Sequence, residues 1–233
     1  MIAHIVPLMK KGQAKPVGSR ANVKNLRREQ LIEATMKTIA RHGYARTTMA
    51  HVAKAAGLSQ GIVNFYFKTK EALLYETFDH LANEYEQLVE QSLERAGDDP
   101  VAGLVAMIDT DLGPEVCTPT KIAVWLAFWA ETRSRPKYRE LYRKLADDYS
   151  RQVHELCAKL ASRGGYAGLD LEAISVGFVA LIDGYWVRLG IEQDLMDRDK
   201  AKAACRAYFA GFFPSEFGPL VALADGDANR KVG

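Results

Sequence analysis

The spacing of apolar residues limits this chain to helical folds. From Leu26 onward, apolar side chains recur at steps of three and four residues, as at Leu31, Ile32, Met36 and Ile39, which is the period of an amphipathic helix. Gly or Pro residues end each such run. No stretch alternates between apolar and polar residues for long enough to predict a strand. We therefore predict an all-α fold of about nine helices, in a small N-terminal block and a larger C-terminal block.

Composition narrows the class of protein. With 48% hydrophobic residues in 233, the chain can bury the core of one or two domains. Its longest uncharged apolar runs end at Asp183 and Glu131, well short of the ~18 residues that a membrane span needs. Three widely spaced cysteines form no CxxC pair and argue against a disulfide framework or a Cys-rich zinc site. We predict a cytoplasmic protein with no membrane segment, metal or cofactor.

The charge is divided unevenly along the chain. Residues 1–70 hold 13 Lys or Arg and two acidic residues, a net charge of +11, whereas 71–233 carry a net charge of −9. A basic segment joined to an acidic body indicates contact with a polyanion at one end. The alternative is a basic tail that only aids solubility, since seven of the 13 basic residues precede Glu29.

Breaks in the pattern divide the chain into a flexible basic arm (1–25), two helical blocks (26–70 and 71–218) and a polar tail (219–233). We predict that the first block is a DNA-binding domain and the second a ligand-binding and dimerisation domain. Within the first block, two short amphipathic patterns flank Gly57. This is the layout of a helix-turn-helix, in which the second short helix projects and can enter the major groove of DNA. Lys residues of the arm could lie on the DNA backbone or remain disordered.

The string TTMAHVAKAAGLSQGIVNFYFKTKEALL, which begins at Thr47, resembles the N-terminal domain of TetR-type transcriptional regulators. The shared features are Thr48, the Ala-Gly-Leu-Ser turn at 56–59, Gly61, Tyr66-Phe67 and Lys70-Glu71. The resemblance implies that Thr48 and Tyr66 donate hydrogen bonds to phosphates, and that Lys70 adds its charge and the helix dipole.

The same resemblance assigns the second short helix to base reading. It implies that Gly61 lets the backbone approach DNA and that Gln60, Asn64 and Phe65 face base edges. Leu58, Val63 and Phe67 would anchor this helix to the domain. Two alternatives stay open: Gly61 as a tight helix start, and Phe65 as an apolar anchor. The family usually has Tyr where this chain has Asn64, which leaves the contact made there undetermined.

Aromatic residues and one acid mark the C-terminal block. Trp125, Phe128 and Trp129 are spaced to share one helix face, and Asp183 stands inside an otherwise apolar helix. Aromatic rings with a carboxylate suit a cation, above all a quaternary ammonium. The alternatives are an aromatic stripe that is only core, and an Asp satisfied by a Tyr, a Trp N–H or the backbone.

The strings VCTPTKIAVWLAFWAE (from Val116) and LIDGYW (from Leu181) resemble the BetI-type branch, repressors of choline-to-glycine-betaine genes that respond to choline. The resemblance implies a ligand-responsive repressor. Its effector site would comprise Trp125, Phe128, Trp129, Asp183 and Trp186, with Asp183 rather than Glu131 as the counter-charge. The alternative is a TetR-type regulator that responds to a different amine or to a hydrophobic effector.

The predicted partners are operator DNA, a small cationic effector and a second copy of the chain. Palindromic half-sites require a two-fold protein. Two helices could form the dimer interface, or one of them could pack within its own chain. The predicted interface residues are Ala173, Gly177, Ala180, Gly184, Tyr208, Phe209 and Phe212. The sequence has no HExxH, GxSxG or Walker motif, so we predict no catalytic residues and no enzyme activity.

Overall fold

The computed structural model describes residues 20–191 and 197–221, and this part of the chain is helical without strands. The helices are α1 (Arg20–His42), α2 (Met49–Ala56), α3 (Gln60–Tyr66), α4 (Lys70–Ala96), α5 (Pro100–Asp111), α6 (Pro119–Thr132), α7 (Pro136–Gly164), α8 (Leu171–Ile191) and α9 (Arg198–Phe212). The all-α prediction is confirmed, with helices close to the predicted positions. A further helical segment at 214–221, which the sequence did not predict, reaches the end of the described part.

Side-chain caps fix the starts of the helices around the turn. The hydroxyl oxygens of Thr48, Ser59 and Thr69 accept hydrogen bonds from backbone N–H groups in the first turns of α2, α3 and α4. These N–H groups have no partner inside their own helix. Gly57 ends α2 with φ of 66°, a left-handed conformation that favours glycine. The turn between α2 and α3 is therefore encoded locally.

The first helix is longer than its apolar pattern indicates. α1 begins at Arg20, before the predicted start at Leu26. Val23 and Leu26 are exposed, so this end of α1 adds no apolar residue to the described core and carries no apolar period. The predicted arm therefore overlaps α1 at 20–25, and residues 1–19 lie outside the described residues. The predicted tail is likewise helical at 219–221, and its remainder is not described.

The two cores of the chain meet on α1 and α4. Leu73 belongs to the N-terminal core with α1, α2 and α3, whereas the adjacent Leu74 belongs to the C-terminal core. Met36 and Ile39 of α1 also enter the C-terminal core, and α1 packs directly against α6. The N-terminal and C-terminal parts are thus joined by packing on both sides of Lys70.

The helix α8 is apolar along most of its length. Within the described residues, it is the one helix long and apolar enough to cross a membrane by length and composition. One side of it, with Ile174, Phe178, Ile182 and Trp186, is buried in the C-terminal core. Asp183 lies within this helix, as the sequence predicts.

Candidate ligand cavity and DNA-reading surface

The projecting helix α3 presents one face to the core and the other to solvent. Val63 and, just after the helix, Phe67 are buried against α1, α2 and the start of α4. Gln60, Gly61 and Asn64 are exposed. Phe65 is 69% exposed, so it does not act as an apolar anchor within the described domain. The structure thus separates the predicted base-reading residues from the anchors Val63 and Phe67.

The three residues predicted to contact phosphates also have structural partners within the chain. Thr48 caps α2 by accepting from the His51 N–H at 3.1 Å. The Lys70 ammonium donates to the carbonyl oxygen of Ala45 at 2.9 Å, which ties the start of α4 to the loop before α2. Tyr66 is half-buried, with its ring 5.3 Å from that of Phe65. These partners hold the side chains at the exposed end of the domain.

A small cavity of about 50 Å³ lies between α4, α6, α7 and α8. One water needs roughly 10–15 Å³ by the same measure, so the cavity suits a compact ligand. Aromatic side chains dominate its walls. The lining residues are Tyr85, Trp125, Trp129, Tyr142, Leu145, Ala146, Tyr149, Val179, Ile182, Asp183 and Trp186.

The three tryptophans form a continuous aromatic wall. The rings of Trp129 and Trp186 are stacked, with centroids 5.8 Å apart and planes 9° apart, and Trp125 lies 5.7 Å from Trp186. Their helices α6 and α8 are held together by apolar packing. The indole nitrogen of Trp129 is buried and has no hydrogen-bond partner in the described part of the chain.

Asp183 is the half-buried carboxyl in this wall. The described residues supply no hydrogen bond or ion pair to its side chain, and burial alone raises its pKa to about 6. Arg188 does not serve as its partner, since no charge lowers that pKa. Glu131, the alternative counter-charge, is instead bonded to Arg135 at 2.8 Å. An ionised carboxylate in this position attracts a cation.

Behind the cavity wall lies a second carboxyl, Asp111, which is fully buried at the end of α5. It accepts hydrogen bonds from the hydroxyls of Tyr85, at 2.6 Å, and Tyr149. Burial raises its pKa to about 7, although these two bonds act to lower it. The backbone carbonyl of Asp111 has no helical donor and accepts from the Trp186 indole N–H at 3.0 Å and the Cys117 thiol.

Comparisons with known proteins agree with this architecture. Residues 31–77 match the family described as bacterial regulatory proteins, tetR family, and residues 100–214 match the BetI-type transcriptional repressor, C-terminal family. The chain is 32% identical over 197 residues to the transcriptional regulator BetI of Stenotrophomonas maltophilia, covering 81% of this chain and 94% of that relative. The chain belongs to the TetR family, in its BetI-type branch. A BetI of Paraburkholderia xenovorans is also 32% identical, over 195 residues that cover 80% of this chain and 92% of its own.

Solved structures share the fold of this BetI-type regulator. A transcriptional regulator from Pseudomonas aeruginosa PAO1 superposes with a TM-score of 0.72 at 24% identity, covering 84% of this chain and 94% of that chain. A regulator from Saccharomonospora viridis, solved in complex with choline, superposes with a TM-score of 0.68 at 20% identity, covering 79% and 95%. The relatives are transcriptional regulators of a family that binds operator DNA and small effectors, in agreement with the prediction that the chain is not an enzyme.

Phe128 departs from the predicted effector site. Its ring stacks on Phe78 at 4.4 Å and lies 5.8 Å from Tyr44, outside the cavity lining. The prediction that the three α6 rings point to one cavity is therefore wrong for Phe128. The helical spacing places Phe128 about 60° from Trp125, and α4 and α1 occupy that side. Phe128 instead connects α6 of this BetI-type regulator to the loop before α2.

The predicted dimer residues divide between two faces of the regulator. Phe209 is fully buried in the chain's own core, and the Tyr208 hydroxyl donates to the carbonyl of Ile174 at 2.8 Å, over Gly177. Phe209 therefore packs within its own chain, which corrects its assignment to a dimer interface, whereas Gly177 and Tyr208 are half-buried and remain predicted interface residues. Phe212 is half-buried, and the exposed residues are Ala173, Ala180 and Gly184.

Sequence reasoning missed three cavity-lining tyrosines, Tyr85, Tyr142 and Tyr149, and the buried Asp111 behind the cavity wall. The tyrosines lie at core positions of α4 and α7, where their spacing alone predicts ordinary core residues. A signal existed for Asp111: an acid at the C-terminal end of an apolar helix opposes the helix dipole. Such an acid therefore needs dedicated donors, and Tyr85 and Tyr149 provide them.

Proposed function

We propose that this regulator is a repressor that senses choline or a related quaternary ammonium compound and controls genes for glycine betaine synthesis. The observation that carries the proposal is the Asp183 carboxyl, which lacks a partner in the described residues and stands in an aromatic cavity. The BetI name of the relatives and the choline complex of the Saccharomonospora viridis regulator support the same effector class.

A quaternary ammonium group matches these walls chemically. It carries charge but no N–H, so aromatic faces and a carboxylate attract it without hydrogen bonds. Trp129 and Trp186 supply stacked indole rings, and Asp183 supplies the negative charge. The unpaired indole N–H of Trp129 is available to a hydroxyl or carbonyl oxygen of the ligand. A neutral hydrophobic effector would leave both polar groups unsatisfied.

The wild-type protein offers a direct test of this function. All three tryptophans of the chain line the cavity, so fluorescence reports on it alone. We expect choline or betaine aldehyde to change that fluorescence and, over the same concentrations, to release operator DNA in an anisotropy assay. A neutral isostere of choline, 3,3-dimethyl-1-butanol, serves as the control. If neither choline nor betaine aldehyde has an effect, or if the neutral alcohol binds as well as choline does, the choline proposal fails.

For the DNA-reading surface, we propose the contacts that the family resemblance implies for Thr48, Gln60, Gly61, Asn64, Phe65, Tyr66 and Lys70. Gly61 gives the sharpest support. A Cβ there would meet only the Ser59 hydroxyl at 3.8 Å, and its φ is not positive. The chain itself therefore does not require glycine at this position. A close approach of the α3 backbone to a phosphate or base edge would require it.

A Gly61→Ala variant should separate stability from DNA binding. Alanine is the better helix former, so we expect unfolding to cost ~0.5–1 kcal/mol more. Overpacking at a close contact costs ~1–3 kcal/mol, so operator affinity should fall about tenfold. Thermal unfolding and operator titration measure the two effects. Unchanged operator affinity would assign Gly61 to the helix start instead.

We infer that α8 contributes the face of a homodimer. A stripe of apolar and small residues is exposed along it, at spacings of three and four: Ala173, Val176, Ala180, Gly184 and Val187. Contiguous exposed apolar patches mark interaction sites. A two-fold axis through this stripe would bring identical small residues together and bury them.

Ala180→Glu should disrupt such a dimer, since a two-fold axis would place two carboxylates near each other. Ala180 is exposed, so the single chain has room for the longer side chain. We expect sedimentation to show monomers and operator affinity to be lost, with the helical circular dichroism spectrum retained. Gln91→Glu adds the same charge at an exposed site on α4 and should remain dimeric. A dimeric Ala180→Glu protein would place the interface elsewhere.

The geometry also supports a route from effector to DNA. Trp125 and Trp129 of α6 line the cavity, and Phe128 on the same helix contacts Tyr44. The Tyr44 hydroxyl is 3.0 Å from that of Tyr138. A ligand that shifts α6 would thus act on the loop before α2. To release DNA, the ligand must bind more tightly to the conformation in which the two α3 helices of the dimer are wrongly spaced for DNA than to the DNA-bound conformation.

A further inference from the structure

A groove of about 420 Å³ runs between α4 and α7 on the outside of the cavity. Tyr85, Leu145 and Tyr149 line both the groove and the cavity. Each is only 7–9% exposed, so together they form a thin closed wall between the two spaces. By contrast, the groove between α4 and α5, which includes Glu115, shares no lining residue with the cavity.

The outer groove is acidic. Glu86, Glu90 and Glu94 follow one another at steps of four residues on α4, so they lie along one helix face. Of the basic residues on α7, Lys144 faces Glu86 at 4.0 Å and Arg151 bonds Asp148 at 2.7 Å. Glu90 and Glu94 have no ion pair within the part of the chain that the structure describes, so the groove keeps a net negative charge.

The wall residues differ in how firmly they are held. The hydroxyls of Tyr85 and Tyr149 are both bonded to Asp111, and breaking these bonds in a buried site is costly. Leu145 makes only apolar contacts in this wall. Leu145 has no hydrogen bond to break, so displacing its side chain costs less than displacing either tyrosine.

We propose that the α4–α7 groove is the entry route of the effector, with Glu90 and Glu94 attracting cations to it and Leu145 acting as the gate. The inference rests on the proposed cationic effector. A negatively charged cleft raises the local concentration of a cation and its association rate. Charges at the rim of a site change the association rate and its salt dependence more than the dissociation rate.

The charge variant Glu90→Gln/Glu94→Gln tests the route. Stopped-flow tryptophan fluorescence with choline should show an association rate constant several-fold lower at low salt, and a nearly unchanged dissociation rate constant. The difference should shrink as salt screens the charges. The control variant Glu33→Gln/Glu115→Gln removes the same charge at exposed positions outside the groove. Equal association rates in the two variants would overturn the proposal.

Leu145→Ala tests the gate by a different signature. A smaller side chain should raise the association rate constant several-fold, and any lost contact with the ligand should appear as a further rise in the dissociation rate constant. A faster dissociation with unchanged association would make Leu145 a binding contact and would contradict its role as a gate.

A second probe keeps the route testable even if choline does not bind. Caesium ions and neutral acrylamide both quench tryptophan fluorescence, and all three tryptophans line the cavity. We expect the groove variant to reduce quenching by caesium but not by acrylamide, and the control variant to change neither. Equal caesium quenching in the groove and control variants would overturn the proposed route. If choline alone fails to change the fluorescence, that result counts against the proposed function instead.

Discussion

Asp183→Asn is expected to lower the affinity for choline about 30-fold, with little change in operator binding by the unliganded protein. The substitution keeps the shape of the side chain but removes the negative charge opposite the ligand. Losing one partner of a close charge pair costs ~2 kcal/mol or more, which is about 30-fold in affinity. Fluorescence titration measures the change, and Glu115→Gln, outside the cavity, is the matched control.

The pH dependence of the same titration identifies the group responsible. Burial raises the pKa of Asp183 to about 6, and a cation requires its ionised form. Affinity should therefore be full well above pH 6, fall as pH drops through 6 and level off near the roughly 30-fold loss expected for Asp183→Asn. Asp111, with a pKa raised to about 7, and the cavity tyrosines Tyr85, Tyr142 and Tyr149 are the other titratable groups nearby. If the choline affinity of Asp183→Asn does not change below pH 6 while that of the wild type falls, the pH effect belongs to Asp183. Equal pH dependence, or equal affinity in the two proteins, would contradict this assignment.

Asp111→Leu is expected to destabilise the fold by about 2–5 kcal/mol. It removes the acceptor of two buried hydroxyls, those of Tyr85 and Tyr149. Each buried donor left unsatisfied costs ~1–3 kcal/mol. Chemical unfolding followed by circular dichroism measures the loss.

The triple variant Asp111→Leu/Tyr85→Phe/Tyr149→Phe removes both hydroxyls with the acceptor and should recover much of the stability. The pH dependence has a definite sign, because the pKa of Asp111 is raised in the folded chain from 3.8 to about 7. Its stabilising contribution is full below pH 3.8 and is lost as pH rises through 7. The difference in the free energy of unfolding between wild type and Asp111→Leu should decrease as pH rises over that range. No gap at pH 5 would refute this account of the buried carboxyl.

The DNA-reading domain could be predicted from sequence almost entirely, because its structure is specified locally. Caps at Thr48, Ser59 and Thr69 and the glycine at Gly57 act within a few residues of their own positions. The alternation of buried and exposed side chains in α3 follows from helical spacing. The early start of α1 at Arg20 was missed because that end of the helix is exposed and carries no apolar signal.

The cavity could be predicted only in part. Trp125, Trp129, Asp183 and Trp186 do meet at one site, as the spacing and the family resemblance indicate. Phe128 does not join them, since its side of α6 faces Phe78 and Tyr44. Apolar residues at helical spacing show that one face of a helix is buried, but they do not show which other helix packs on that face.

The sequence by itself determined most of the helices and most of their ends, the reading helix and the family to which the chain belongs, because these depend on short-range spacing and capping. Tertiary structure decided which buried faces meet. It placed Asp111 between two tyrosines, turned Phe209 inward and left the α8 stripe exposed. It also set the outer groove against the cavity wall. Such contacts join residues far apart in the chain, and only the packing of whole helices brings them together.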